Sequence, residues 1–192
     1  EGIKPTPSIG GVGLIKDCKK MITMDFKEIN NIVLVIGKTE GHIDQSLFAR
    51  NILDEKNGPP PEINLFNEKN NGETILRLID KKYVKAAHDV SLGGIITALS
   101  KMCIKGKKGA IIRKPNYLIN QFEYLFGEDQ GRYIIEIQEK NLKNVIDILT
   151  KNSVHYDMLG IVDSGDLVID NKSKVAIDEL IKSHTNWLTN YM

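Results

Sequence analysis

Two periodicities in the placement of apolar residues divide this chain into helices and strands. Along residues 85–105, KAAHDVSLGGIITALSKMCIK, the residues Ile95, Ile96, Leu99, Met102 and Cys103 fall at i, i+1, i+4, i+7 and i+8. That single apolar stripe predicts a helix lying on a core. A short strand at 84–88 precedes it, the chain turns through Ser91, and the Ser91 hydroxyl is the expected N-cap. The other period is clearest at 31–37, NIVLVIG, a continuous apolar run rich in β-branched residues and bounded by turn residues, which predicts a buried strand.

The remaining elements follow in order. Residues 44–55 read as a helix stopped by Gly58-Pro59-Pro60-Pro61, and a second helix is expected over 64–80, broken near Asn70-Asn71-Gly72. Beyond the central helix come a basic loop at 105–108, a strand at 109–113 and a short helix at 117–126 with Leu118, Phe122 and Leu125 or Phe126 as its apolar positions. A strand at 133–138 leads to an amphipathic helix with Leu142, Val145, Ile146 and Leu149 on one face. Segments 158–162 and 167–169 flank Asp163-Ser164-Gly165-Asp166, which is good hairpin chemistry. The last helix, 175–188, is expected to bury Ile177, Leu180, Ile181, Trp187 and Leu188. At the other end a glycine-rich loop, 6–16, leads into an extended segment at 12–15. Strands and helices mix without strict β-α-β alternation, so the expected fold class is α+β: a mixed β-sheet covered by helices. No interdomain linker is visible after Pro61, and residues 1–192 are read as one domain.

Composition narrows the function classes. With 192 residues, 41% hydrophobic and 27% charged, the chain has the make-up of an ordinary globular protein. Its apolar runs are far shorter than the roughly 20 residues of a membrane span. A net charge of +1 with interleaved lysines and acids gives no footprint for nucleic acid. Two distant cysteines, Cys18 and Cys103, exclude a disulfide framework, suit a reducing cytoplasm and are read as inert thiols. The chain opens on Glu1 without a signal peptide, and a piece of something longer is expected.

Candidate chemistry lies at two turns. In the first, Gly93 and Gly94 open the central helix at a cost of about 1 kcal/mol each relative to Ala. Such bare backbone admits an anion at the helix N-terminus, another backbone, or close packing on a sheet. The second is 127–132, GEDQGR, where Glu128 and Gln130 can face a cleft and Arg132 can hold Glu128, reach a phosphate, or pair with a surface acid. The acids Glu128 and Asp129 are a possible Mg²⁺ pair or simply solvated. Two phosphate-loop look-alikes are rejected. GGVG at 10–13 has Lys16 where a dinucleotide fingerprint needs its third glycine, and Gly37-Lys38-Thr39 is preceded by strand residues where a P-loop needs a cradle. The four histidines are scattered, and no nucleophile elbow or zinc motif occurs.

Five segments together carry a family resemblance: PTPSIGGVGLIKD at 5–17, GHIDQSLFARNI at 41–52, GPPPEINL at 58–65, AAHDVSLGGIITALSKM at 86–102 and LFGEDQGRYII at 125–135. In order and spacing they resemble the synthetase (subunit II) type of phosphoribosylformylglycinamidine synthase, and the resemblance spans nearly the whole chain as that family's C-terminal domain. It implies a fold similar to the C-terminal domain of aminoimidazole ribonucleotide synthetase. It also implies a part in converting formylglycinamide ribonucleotide, with ATP and glutamine-derived ammonia, to formylglycinamidine ribonucleotide in de novo purine biosynthesis. The expected cofactors of the whole enzyme are ATP and Mg²⁺. Its expected partners are the N-terminal domains of the same enzyme, a glutaminase subunit, a small bridging subunit and nucleotide substrates, in the cytoplasm.

Because the family's catalytic histidine, nucleotide ligands and main metal ligands lie in earlier domains, the resemblance gives no residue here a catalytic or metal-ligating role. It implies only cleft lining, by His88, Asp89, Ser91, Gly93 and Gly94 on the HDVSDGG motif and by Glu128, Asp129, Gln130 and Arg132 on the counterpart of a substrate-binding E-S-Q segment. Leu92 replaces the usual Asp of the first motif and removes a carboxylate that a cation would need; Asp44 replaces a usual Gly. The corresponding domain of an aminoimidazole ribonucleotide or selenophosphate synthetase is the alternative, against which GPPPEINL argues. A purely structural domain is another.

Overall fold

The computed structural model describes residues 8–116 and 119–191, the last four by backbone alone. Among these residues seven strands form one sheet: β1 (Ile32–Ile36), β2 (Val84–Val90), β3 (Gly109–Ile112), β4 (Arg132–Ile137), β5 (Tyr156–Asp163), β6 (Leu167–Ile169) and β7 (Ser173–Val175). Their order is β2-β4-β1-β5-β3-β6-β7, antiparallel throughout except for the parallel pair β3 and β6. Among the described residues six α-helices cover it: α1 (Leu47–Asn51), α2 (Leu65–Asp80), α3 (Gly94–Gly106), α4 (Gln121–Phe126), α5 (Leu142–Lys151) and α6 (Ile177–Tyr191). This is the expected α+β class.

β1 shows why its sequence does not alternate. Val33 and Val35 face one core with α3, α4 and α6, while Ile32, Leu34 and Ile36 face a second core with α2 and α5. A strand between two helical layers needs apolar residues at every position. On α3 the predicted stripe is buried as expected, with Ile95, Leu99, Met102 and Cys103 inside and Ile96 packed at the margin. On α5, Val145 and Leu149 are buried and Leu142 packs against the same core.

Several expectations are corrected. Residues 12–15 form no strand; Val12 and Leu14 are fully exposed. α1 has five residues rather than twelve, and α4 begins at Gln121, with Phe122 exposed; the predicted positions Tyr117 and Leu118 lie outside the described residues. α2 runs unbroken through Asn70-Asn71-Gly72, because the Asn70 amide donates to Asn152 O (2.8 Å) and the Asn71 amide to Gly131 O (2.9 Å). Side chains that weaken a helix locally are here committed to tertiary bonds. β2 runs on to Val90, past the predicted end.

The predicted hairpin does not form either: β3 lies between β5 and β6, and β6 makes its hairpin with β7. The connection at 163–166 instead crosses the start of β3, where a side chain on Gly109 would come within 2.2 Å of Gly165 O. Val175 belongs to β7, and Trp187 on α6 is exposed; the side chain of Leu188 lies outside the description.

Of the two thiols read as inert, Cys18 is exposed and Cys103 is buried. Burial pushes the Cys103 thiol up to about 12, so almost no thiolate exists near neutral pH. Cys103 is therefore expected to resist iodoacetamide at about pH 8 in the native protein and to react fully only after denaturation. Peptide mass spectrometry checks this, and native labelling as fast as denatured labelling would contradict it.

Candidate functional site

The segment that follows α4 is the junction of the molecule. α4 starts with a capping box, Asn120 with Glu123, and ends at Gly127. The next residue, Glu128, accepts two backbone hydrogen bonds on one oxygen, from Gly93 N and from Leu47 N, each 2.8 Å. One carboxylate thus serves the first turns of α1 and α3 together. The N-cap of α3 is Gly93, in the left-handed region at φ +80°, and not Ser91, whose carbonyl accepts from Gly94 N (3.0 Å). A side chain on Gly93 would strike Thr97 Oγ1 at 2.2 Å, and one on Gly94 would meet Leu125 O at 2.6 Å and Gly127 O at 2.7 Å. At Gly94 the close approach of another backbone is the reason realised, and that backbone is the end of α4.

Asp129 faces the loop that leaves β1. Its Oδ2 accepts from Glu40 N (3.2 Å) and Gly41 N (3.0 Å), and its Oδ1 from His42 N (3.1 Å). Arg132 lies beneath, with its side chain fully buried. Its Nε donates to Asp129 O (3.1 Å), Nη1 to Thr39 Oγ1 (3.1 Å) and Nη2 to Gly127 O (2.7 Å), and Nη1 lies 3.5 Å from Asp129 Oδ2. The fork ties both ends of its own loop to the loop after β1, and the acid beside it is Asp129, which is buried rather than at the surface. Sequence reasoning missed Thr39 as its partner. The signal lay in Gly37-Lys38-Thr39, dismissed as a false P-loop; Lys38 pairs with Glu40, which raises its pKa.

Two clefts flank the junction. The larger, about 770 Å³, lies between the loop at 37–44 and the first turns of α2, and Asp129 and Gln130 line it. Asn64, Asn67 and Asn71 also line it, at an i, i+3, i+7 spacing legible in the sequence but not used. The smaller, about 610 Å³, holds His88 and Asp89. His88 Nδ1 lies 3.0 Å from Asp89 Oδ1, and its buried Nε2 has no hydrogen-bond partner among the described residues. Ser91, Gly93, Gly94, Glu128 and Arg132 line neither cleft. The nine predicted residues are thus divided between two clefts and a bonded junction rather than gathered in one site.

These residues do not fit a nucleotide with its metal. The amides of Gly93 and Gly94 are already bonded, and the described residues contain no group of three His, Cys, Asp or Glu that could hold a metal ion. No helix among them is long and apolar enough to cross a membrane.

Residues 28–170 match the family described as AIR synthase related protein, C-terminal domain. The chain belongs to that family. As an AIR synthase related domain it is 78% identical over 191 residues to phosphoribosylformylglycinamidine synthase subunit PurL of Pelagibacter ubique, a match covering 100% of this chain and 26% of that protein. The chain therefore spans about a quarter of that relative's length.

Its fold is that of PurL structures from Thermotoga maritima. The one complexed with FGAR has a TM-score of 0.70 at 19% identity, covering 85% of this chain and 30% of that one. The one complexed with ATP gives 0.65 at 18%, covering 85% and 27%. The PurLQS structure gives 0.64 at 19%, covering 85% and 28%.

Proposed function

We propose that residues 1–192 form a single C-terminal domain of a longer multidomain synthetase. The whole enzyme uses ATP to convert formylglycinamide ribonucleotide and glutamine-derived ammonia to formylglycinamidine ribonucleotide. The observation that carries this reading is the 78% identity to a PurL subunit over 191 residues. Mg²⁺ accompanies ATP in this reading, and a glutaminase and a small bridging subunit complete the assembly. The enzyme works in the cytoplasm, which two free cysteines support.

Within the enzyme this domain supplies support and cleft walls. Asp129 and Gln130 line the larger cleft and His88 and Asp89 the smaller. Glu128 and Arg132 hold the loops that shape them.

The test compares ATP hydrolysis dependent on formylglycinamide ribonucleotide, with ammonia supplied, in the full-length protein and in residues 1–192 alone. Turnover is expected in the first and none in the second. A full-length protein without this activity would refute the assignment, and turnover by residues 1–192 would refute the supporting role.

A further inference from the structure

We propose that the anion-binding backbone of this domain is sealed by its own carboxylates, so that the domain binds no nucleotide phosphate at these positions. The inference deepens the reading of a supporting domain, but it stands on local geometry.

Three consecutive amides, those of Glu40, Gly41 and His42, converge on the two oxygens of Asp129 at 3.0–3.2 Å. Successive amides pointing into one concavity make an anion nest. Gly41, at φ +81°, provides the left-handed residue such a turn needs, and a side chain there would lie 2.8 Å from Glu123 Cβ. The occupant of this nest is a side chain. Asp129 is only 8% exposed and is held from behind by Arg132, so it is a fixed plug. The second position that could receive a phosphate, the first turn of α3, is closed the same way, by Glu128 on Gly93 N.

The charge around the nest agrees. Glu40, Asp44, Glu62, Glu68 and Glu123 line the same cleft, while Lys38 is already engaged by Glu40. A phosphate would approach a wall of carboxylates and then have to displace one tethered in place, which competes at a high effective concentration. The turn at Gly93 that suggests an anion site in the sequence is filled by the chain's own Glu128.

Hydrogen exchange on the full-length protein, read by mass spectrometry over residues 38–46 and 91–97, tests this without reference to turnover. In the parent, excess inorganic phosphate is expected to leave exchange of the 40–42 and 93 amides unchanged. In Asp129→Ala, exchange at 40–42 is expected to rise about tenfold or more, since a charged acceptor is lost. Phosphate that slows these amides in the parent would overturn the proposal, as would a folded Asp129→Ala whose 40–42 amides exchange no faster than the parent's. The parent measurement decides by itself if the variant does not fold. Because the readout is local, failure of the synthetase assignment shows in turnover and failure of the sealed nest shows here.

Discussion

Gly94→Val is expected to destabilise the domain by about 2–5 kcal/mol, the sum of two penalties at one residue. The first is steric. A Cβ at Gly94 would sit 2.6 Å from Leu125 O, 2.7 Å from Gly127 O and 2.8 Å from the Phe126 carbonyl carbon. All three are backbone atoms of the end of α4, so no rotamer change relieves them, and overpacking of this kind costs about 1–3 kcal/mol. The second is conformational: Gly94 lies at φ +69°, where a side chain costs about 1–2 kcal/mol and β-branching leaves it least freedom. Thermal melts of the full-length protein should show the domain's transition falling by about 2–4 °C per kcal/mol. An unchanged midpoint would mean that α3 and α4 do not touch at this turn.

Arg132→Met is expected to cost about 3–5 kcal/mol, the range for removing one partner from a buried charged network. Methionine fills much the same space but leaves Gly127 O, Asp129 O and Thr39 Oγ1 without the guanidinium. It also leaves the Asp129 carboxylate, 8% exposed, without its cation. Arg132→Lys should recover little, because an ammonium cannot present Nε, Nη1 and Nη2 in three directions at once. A double-mutant cycle with Asp129→Asn isolates the pair, and a coupling near zero would show that Arg132 acts through Thr39 and the two carbonyls rather than through the carboxylate.

The two departures from the family pattern have different fates. Asp44 lies against Gly58, where a side chain would come within 2.5 Å of its Cγ. Asp44 and the glycine opening the proline run are therefore matched to each other. Leu92 is 62% exposed beside the α3 turn; nothing in the described residues explains the leucine.

What the sequence determined by itself is local. The apolar run of β1, the stripe of α3 and the face of α5 are legible because each reflects a residue's neighbours within two turns or one strand. The order and spacing of five motifs indicated the family. What only the tertiary structure decided is where distant segments meet. Glu128 reaches Gly93 across 35 positions and Leu47 across 81, and Arg132 reaches Thr39 across 93. No periodicity encodes such pairs. For the same reason Asp163–Asp166 read as a hairpin: turn chemistry describes four residues, whereas the placing of β3 between β5 and β6 is settled by which strand edges remain to be paired. The glycines at 93 and 94 announced a close approach in the sequence itself. Whether an anion or a backbone made that approach depended on the end of α4, some thirty residues away in the chain and in direct contact in the fold.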